Sequence, residues 1–166
     1  HPRIIIIYEN MTDQAHLTLR TLTPGENIPY SLLLLADETK EAIDKYIHQS
    51  VIYVLEYGKE MIAVCATAMI SEGVMEIKNI AVREDWQNKG VGYRFLLDII
   101  DKAREQECSE LIICTPDCAK KQLYLYQKAG FCISDIVRDY YRNHYPEPII
   151  ENGIELKDMA ILKMSL

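Results

Sequence analysis

Long apolar runs are missing from this chain, and so is any excess of positive charge. No stretch approaches the ~20 apolar residues that a membrane-crossing helix needs. Ile4–Ile7 and Leu32–Leu35 are short and read as buried elements. No secretory leader is expected, because the start around Arg3–Glu9 lacks both the length and a small-residue cleavage site. His1-Pro2 stands in place of an initiator Met and is left out of the functional argument. A formal net charge of -7 argues against general nucleic-acid binding. The five cysteines are an odd number, and Cys114-x-x-x-Cys118 has no second Cys/His pair to complete four metal ligands. Free, mostly buried thiols in a reducing cytoplasm are expected instead, with no metal. Repeats, low-complexity tracts and linkers are lacking too, so the 166 residues read as one domain with a sizeable core.

What is present is a succession of short elements. Arg3–Glu9 reads as a first strand and Asp13–Leu22 as a short helix. Thr23–Asn27 is a turn cluster. Leu32–Leu35 and Glu38–Gln49 have helical spacing, with Asp37 as N-cap. Val51–Tyr57 and Met61–Ile70 form an antiparallel hairpin across Gly58-Lys59, and Val74–Val82 follows the Ser71-Glu72-Gly73 turn. Lys89–Glu105 is amphipathic, with Val91, Phe95, Ile99 and Ala103 every fourth residue. Leu111–Cys114 is a strand apolar on both faces. Pro116 opens a helix that stops at Gly130, and Phe131–Val137 is a strand. Asp139–Gly153 is a Tyr/Pro-rich loop, and Asp158–Leu166 closes the chain as a strand. A strand meander followed by strand–helix–strand–helix–strand implies a mixed α/β sheet in which antiparallel strands precede a parallel crossover.

The most informative stretch runs from Ile80 to Leu97. An apolar strand end leads into Gln87-Asn88-Lys89-Gly90-Val91-Gly92 and then into a helix. Glycines let the backbone approach a ligand, and the first turn of a helix carries N–H groups that point outward. Lys89 and Arg94 add positive charge inside an acidic chain. Gly-x-Gly more often serves plain chain reversal, so context decides. A Rossmann site wants a third glycine, which Gly90-x-Gly92-x-x-Phe95 lacks, and a Walker A loop wants Gly-Lys-Ser/Thr. Phosphate binding outside a nucleotide fold is what remains.

Glu76-Ile77-Lys78-Asn79-Ile80-Ala81-Val82-Arg83 followed by Gln87-x-x-Gly90-x-Gly92 resembles motif A of the GNAT N-acetyltransferases. Leu125-Tyr126-Gln127-Lys128-Ala129-Gly130-Phe131 is similar to the end of that family's motif B. The resemblance implies a GNAT-like fold: a single-domain mixed sheet of about six to seven strands, mostly antiparallel with a parallel central pair, flanked by helices. Motif A would cover about 74–107 and motif B about 111–137. Acetyl-CoA is then the co-substrate and a primary amine of a small molecule or peptide the acceptor. Homodimers are common in the family.

Acetyl transfer asks for a held coenzyme, a polarised thioester, a deprotonated amine and a stabilised leaving thiolate. The resemblance assigns the pyrophosphate to the backbone of Gln87, Asn88, Lys89, Gly90, Val91, Gly92 and Tyr93, with Arg94 close by. Ile80, Ala81 and Val82 would pair with the pantetheine arm as an added strand, and the Ile80 N–H would polarise the carbonyl. Tyr126 matches the general acid, and Glu76 matches a glutamate that is the base in some members. Core packing is the plain alternative for Tyr126, and a solvated strand-end position the alternative for Glu76. Other carboxylates, a tyrosine, water or the loop residue His144 are alternative bases. Ala119 stands where many members carry a coenzyme-binding Asn, with Lys120 beside it. Trp86 reads as packing against the turn. Cys114 and Cys118 raise a covalent route that lacks a neighbouring His. The acidic and aromatic residues Asp37, Glu38, Asp139, Tyr140 and Tyr141 would suit a cationic amine. The rival function is an acyl-CoA-binding regulatory or interaction module without turnover.

Overall fold

Period-two burial writes three of the strands. In the computed structural model, which describes residues 16–166, Leu17 and Leu19 point inward from β1 (Leu17–Thr21). Short helices α1 (Tyr30–Leu33) and α2 (Lys40–Asp44) follow, then a 3-10 turn at Ile47–Gln49. Next come β2 (Val51–Tyr57), β3 (Glu60–Ser71) and β4 (Val74–Val82). β4 alternates without a fault: Met75, Ile77, Asn79 and Ala81 are buried between half-buried neighbours. The rest is α3 (Val91–Glu105), β5 (Glu110–Pro116), α4 (Lys120–Ala129), β6 (Cys132–Val137), α5 (Tyr140–His144), β7 (Ile150–Glu151), β8 (Ile154–Glu155) and β9 (Met159–Ser165). Seven strands form one sheet in the order β1-β2-β3-β4-β5-β9-β6, mostly antiparallel, with β4 and β5 the parallel pair. The expected fold class is therefore present.

The chain divides into two compact units, one of His1–Ala68 with Ile77–Ile99 and one of Met69–Glu76 with Ile100–Leu166. In the first, Leu32, Leu33, Ile43 and Ile47 from the helical segments pack with Ile52, Val54, Val64, Ala66 and Ala81. A polar network runs through this core. Asn79 Nδ2 donates to the Leu33 carbonyl at 2.9 Å and to the Tyr46 hydroxyl at 3.0 Å. The Tyr46 hydroxyl donates to Asp37 Oδ2 at 3.1 Å, and burial pushes its pKa up.

In the second unit β9 pairs antiparallel with β5, Cys114 opposite Ile161 and Pro116 opposite Met159. It pairs with β6 on its other side, through an irregularity between Ile133 and Asp135. The Gly73 carbonyl accepts from the N–H groups of Ser109 and Glu110 at 2.8 and 3.2 Å. Asn152 and Gly153, both left-handed at φ 50° and 76°, turn β7 into β8.

Several expectations need correcting. Leu17–Thr21 is a strand, not part of a helix, because Leu17, Thr18, Leu19, Arg20 and Thr21 alternate with period two. Arg3–Glu9, and the beginning of the helix expected from Asp13, lie outside the described residues. The segment expected as one helix from Glu38 breaks into α2 and a 3-10 turn. Its N-cap is Thr39, whose Oγ1 accepts from the Ala42 N–H at 3.1 Å, not Asp37. Pro116 ends β5 rather than opening α4, which begins at Lys120. The segment expected as a long loop holds α5 and the β7–β8 hairpin. Gly130 does stop α4, left-handed at φ 115°.

Candidate functional site

The Gln87–Gly92 loop is built from its ends inward. At its start the Arg83 N–H donates to the Ile62 carbonyl at 2.8 Å, and the Arg83 guanidinium is held by Asp85 at 2.7 and 2.9 Å and by Glu60 at 3.1 Å. These carboxylates raise the pKa of Arg83, and Arg83 in turn lowers that of Asp85. Gln87 Nε2 donates to the Val82 carbonyl at 2.8 Å, which folds the loop back onto the end of β4. Asn88 at φ 58° and Gly90 at φ 78° are both left-handed, a conformation glycine adopts freely. Trp86 packs as expected, its ring 5.2 Å from that of Tyr57, and Lys89 Nζ lies 5.3 Å from the indole centroid.

Helix α3 then begins. Its first backbone bond runs from the Arg94 N–H to the Gly90 carbonyl at 3.2 Å. The N–H groups of Val91, Gly92 and Tyr93 therefore precede the helical ladder and carry the positive end of the helix dipole. Val91 is buried and anchors the turn, while Asn88, Lys89, Gly90 and Arg94 are exposed. A Cβ on Gly92 would stand 3.6 Å from Val82 Cγ2, an ordinary contact. Oriented donors and two cations are the features an anion site needs. On β4, Ala81 is buried, and Ile80 and Val82 are half-buried.

The second unit holds the expected catalytic pair. Tyr126 is the one buried residue of α4, its ring 6.3 Å from that of Phe131. The Phe131 N–H donates to the Tyr126 carbonyl at 3.0 Å, so the left-handed Gly130 fixes where Tyr126 stands. Glu76 is half-buried on β4, and the Cys114 thiol reaches toward its Oε1 across 4.0 Å. Ala119 occupies the N-cap of α4 without a side-chain cap, and Lys120 and Lys121 begin the helix.

Sequence reasoning missed the order in the tyrosine segment. Tyr140 stacks with His144 at 4.0 Å between centroids, and Tyr141 lies edge-on to Tyr140 at 5.2 Å and stacked with Tyr145 at 6.1 Å. Burial pushes the Tyr141 phenol's pKa up, with added repulsion from Tyr145, Tyr140, Cys114 and Glu151. The signal was available: 140/144 and 141/145 are spaced i,i+4, the distance that stacks rings along a helix. Among the described residues no group of His, Cys, Asp and Glu could hold a metal ion, and no helix is long and apolar enough to cross a membrane.

Comparison with known proteins agrees with this geometry. Residues 19–131 match the family model described as the acetyltransferase (GNAT) family. An uncharacterized N-acetyltransferase, YvbK of Bacillus subtilis, is 40% identical over 137 residues, 82% of this chain and 88% of the relative. A GNAT family acetyltransferase from Elizabethkingia anophelis, solved with acetyl-CoA bound, is 45% identical with a TM-score of 0.87, covering 90% of this chain and 98% of that one. A Bacillus subtilis acetyltransferase in complex with CoA is 37% identical with a TM-score of 0.84, covering 90% and 99%.

Proposed function

Since the chain belongs to the GNAT family of acetyltransferases and uses acetyl-CoA as co-substrate, we propose that it acetylates a primary amine of a small molecule or peptide. The amine attacks directly in a ternary complex, within one N-acetyltransferase domain. The observation that carries this reading is the Gln87–Gly92 loop, closed onto Val82 and leading left-handed through Asn88 and Gly90 into α3. Such a cradle suits a pyrophosphate, and a relative of 45% identity was solved with acetyl-CoA in place.

In this reading Gln87, Asn88, Lys89, Gly90, Val91, Gly92 and Tyr93 hold the pyrophosphate, with Arg94 beside them. Ile80, Ala81 and Val82 offer backbone groups to the pantetheine amides, and the Ile80 N–H polarises the thioester oxygen. Glu76 takes the proton the amine must lose, directly or through water. The amine nitrogen bonds to the acyl carbon, the carbon–sulfur bond breaks, and Tyr126 donates its phenolic proton to the departing sulfur. A phenol of ordinary pKa ~10 beside a thiol of ~8.5 needs little adjustment for that role. None of the five cysteines forms a disulfide, which suits a reducing cytoplasm.

The test is a panel of amines assayed for coenzyme A thiol release, with acetyl-CoA affinity measured in parallel by calorimetry. Thiol release that depends on an amine supports the reading, and tight coenzyme binding with no amine-dependent release overturns it.

A further inference from the structure

We propose that the tyrosines of α5, with Glu151 of β7, form a patch that holds a second positive group of the acceptor, so that diamines and other doubly cationic amines are preferred to simple monoamines. This rests on the acetyl-transfer reading above and adds to it the class of acceptor.

The patch is rigid. Tyr140, Tyr141 and Tyr145 are half-buried, Tyr140 edge-on to Tyr141 at 5.2 Å and Tyr141 stacked with Tyr145 at 6.1 Å. The start of α5 is tied down at two points: the Asp139 N–H donates to Asp158 Oδ1 at 2.9 Å, and the Tyr141 N–H to the Lys157 carbonyl at 3.1 Å. The Asp158 carbonyl accepts from the Asp117 N–H at 3.0 Å, just beyond the end of β5. Cys114 lies two residues inside that end, its thiol 4.0 Å from Glu76. The patch is thus tied through Asp158 and Asp117 to the end of β5 near Cys114, whose thiol reaches toward the proposed base on β4, and Cys114 and Glu151 add to the upward push on the Tyr141 phenol's pKa.

The patch is also negative. Residues 139–155 carry four carboxylates against one arginine. That arginine is satisfied internally, Arg142 donating to Glu155 at 3.1 and 3.0 Å and lying 3.5 Å from Asp139. Glu151 is left exposed on the hairpin. Ring faces and carboxylates both attract cations. The reacting nitrogen, however, must shed its proton before it attacks. Attraction for a cation survives into the transition state only through a group that stays charged, and only such attraction accelerates the reaction. The nitrogen held by the tyrosines is thus a different one from the nitrogen acetylated.

Two measurements test this on the full chain. An alkyltrimethylammonium ion and its neutral carbon isostere are titrated while tyrosine ring resonances are followed by NMR. The ion should shift Tyr140, Tyr141 and Tyr145 and the isostere should not. Thiol release is then compared for 1,5-diaminopentane and pentylamine. A preference in kcat/KM of about tenfold for the diamine is expected, falling to about twofold in Tyr141→Leu and retained in Tyr141→Phe, which keeps the ring face. Equal binding of the isostere, or turnover of both amines without preference, overturns the patch and leaves acetyl transfer standing. Thiol release from neither amine, nor from any other in the panel, overturns both.

Discussion

At the residue scale, Tyr126 and Glu76 carry the proposed chemistry. Tyr126→Phe removes the proposed acid while keeping the ring beside Phe131. We expect kcat to fall on the order of 100-fold with acetyl-CoA affinity unchanged, measured by thiol release and calorimetry; an unaltered kcat would reduce Tyr126 to packing. Glu76→Gln should flatten the acidic limb of the kcat/KM profile against pH, because a base that cannot titrate leaves no limb to observe. The cysteines form a graded set. Cys65 is fully buried and its thiol's pKa is pushed up by that burial, whereas Cys132 is exposed on β6. Iodoacetamide on the native protein, read by mass spectrometry, should label Cys132 first and leave Cys65 unmodified until unfolding. The family was legible in the sequence because two ordered motifs, each weak alone, are specific together. Asn79 was not, since a polar residue in the buried phase of β4 shows its purpose only once the Leu33 carbonyl and the Tyr46 hydroxyl are seen beside it.

At the element scale, the elements read well are those with a long periodic signal. β4 was delimited from the alternation of Val74–Val82, and α3 from apolar residues every fourth position. Two short elements were misread, because five residues hold too little periodicity to tell strand, helix and loop apart: β1 was read as part of a helix and α5 as part of a loop. Turns can be tested by taking away their freedom. Gly130 sits at φ 115°, and a Cβ there would lie 3.0 Å from Met164 Cε. Gly130→Ala should destabilise the protein by about 1–2 kcal/mol in denaturant titration. Gly90 at φ 78° lies in the proposed cradle, so Gly90→Ala should weaken acetyl-CoA binding about tenfold in calorimetry.

At the scale of the whole molecule, the acidic balance shapes the response to pH. Glu26 is held down to a pKa of about 2, first by the Arg20 guanidinium at 2.8 and 3.0 Å and then by Thr23. Its unfolded pKa is near ~4.3, so this contribution is complete above that value and fades as pH falls toward 2. Glu26→Gln should therefore lower the denaturation midpoint at pH 7, and the difference from the parent should close between about pH 4 and pH 2. High salt should shrink it as well, because the pair is partly exposed. The fold class was legible from the two motifs together, since each implies a strand and a helix in a set sequence, but the insertion of β9 between β5 and β6 was not. The ring packing of the tyrosine-rich segment was not legible either, because that segment matches neither motif. The most direct measurement follows carbon-13 from labelled acetyl-CoA mixed with the protein and the amine panel. Label should arrive on an amine nitrogen, with one coenzyme A thiol freed for each amide formed. Coenzyme that binds while no amine ever gains the label would contradict acetyl transfer.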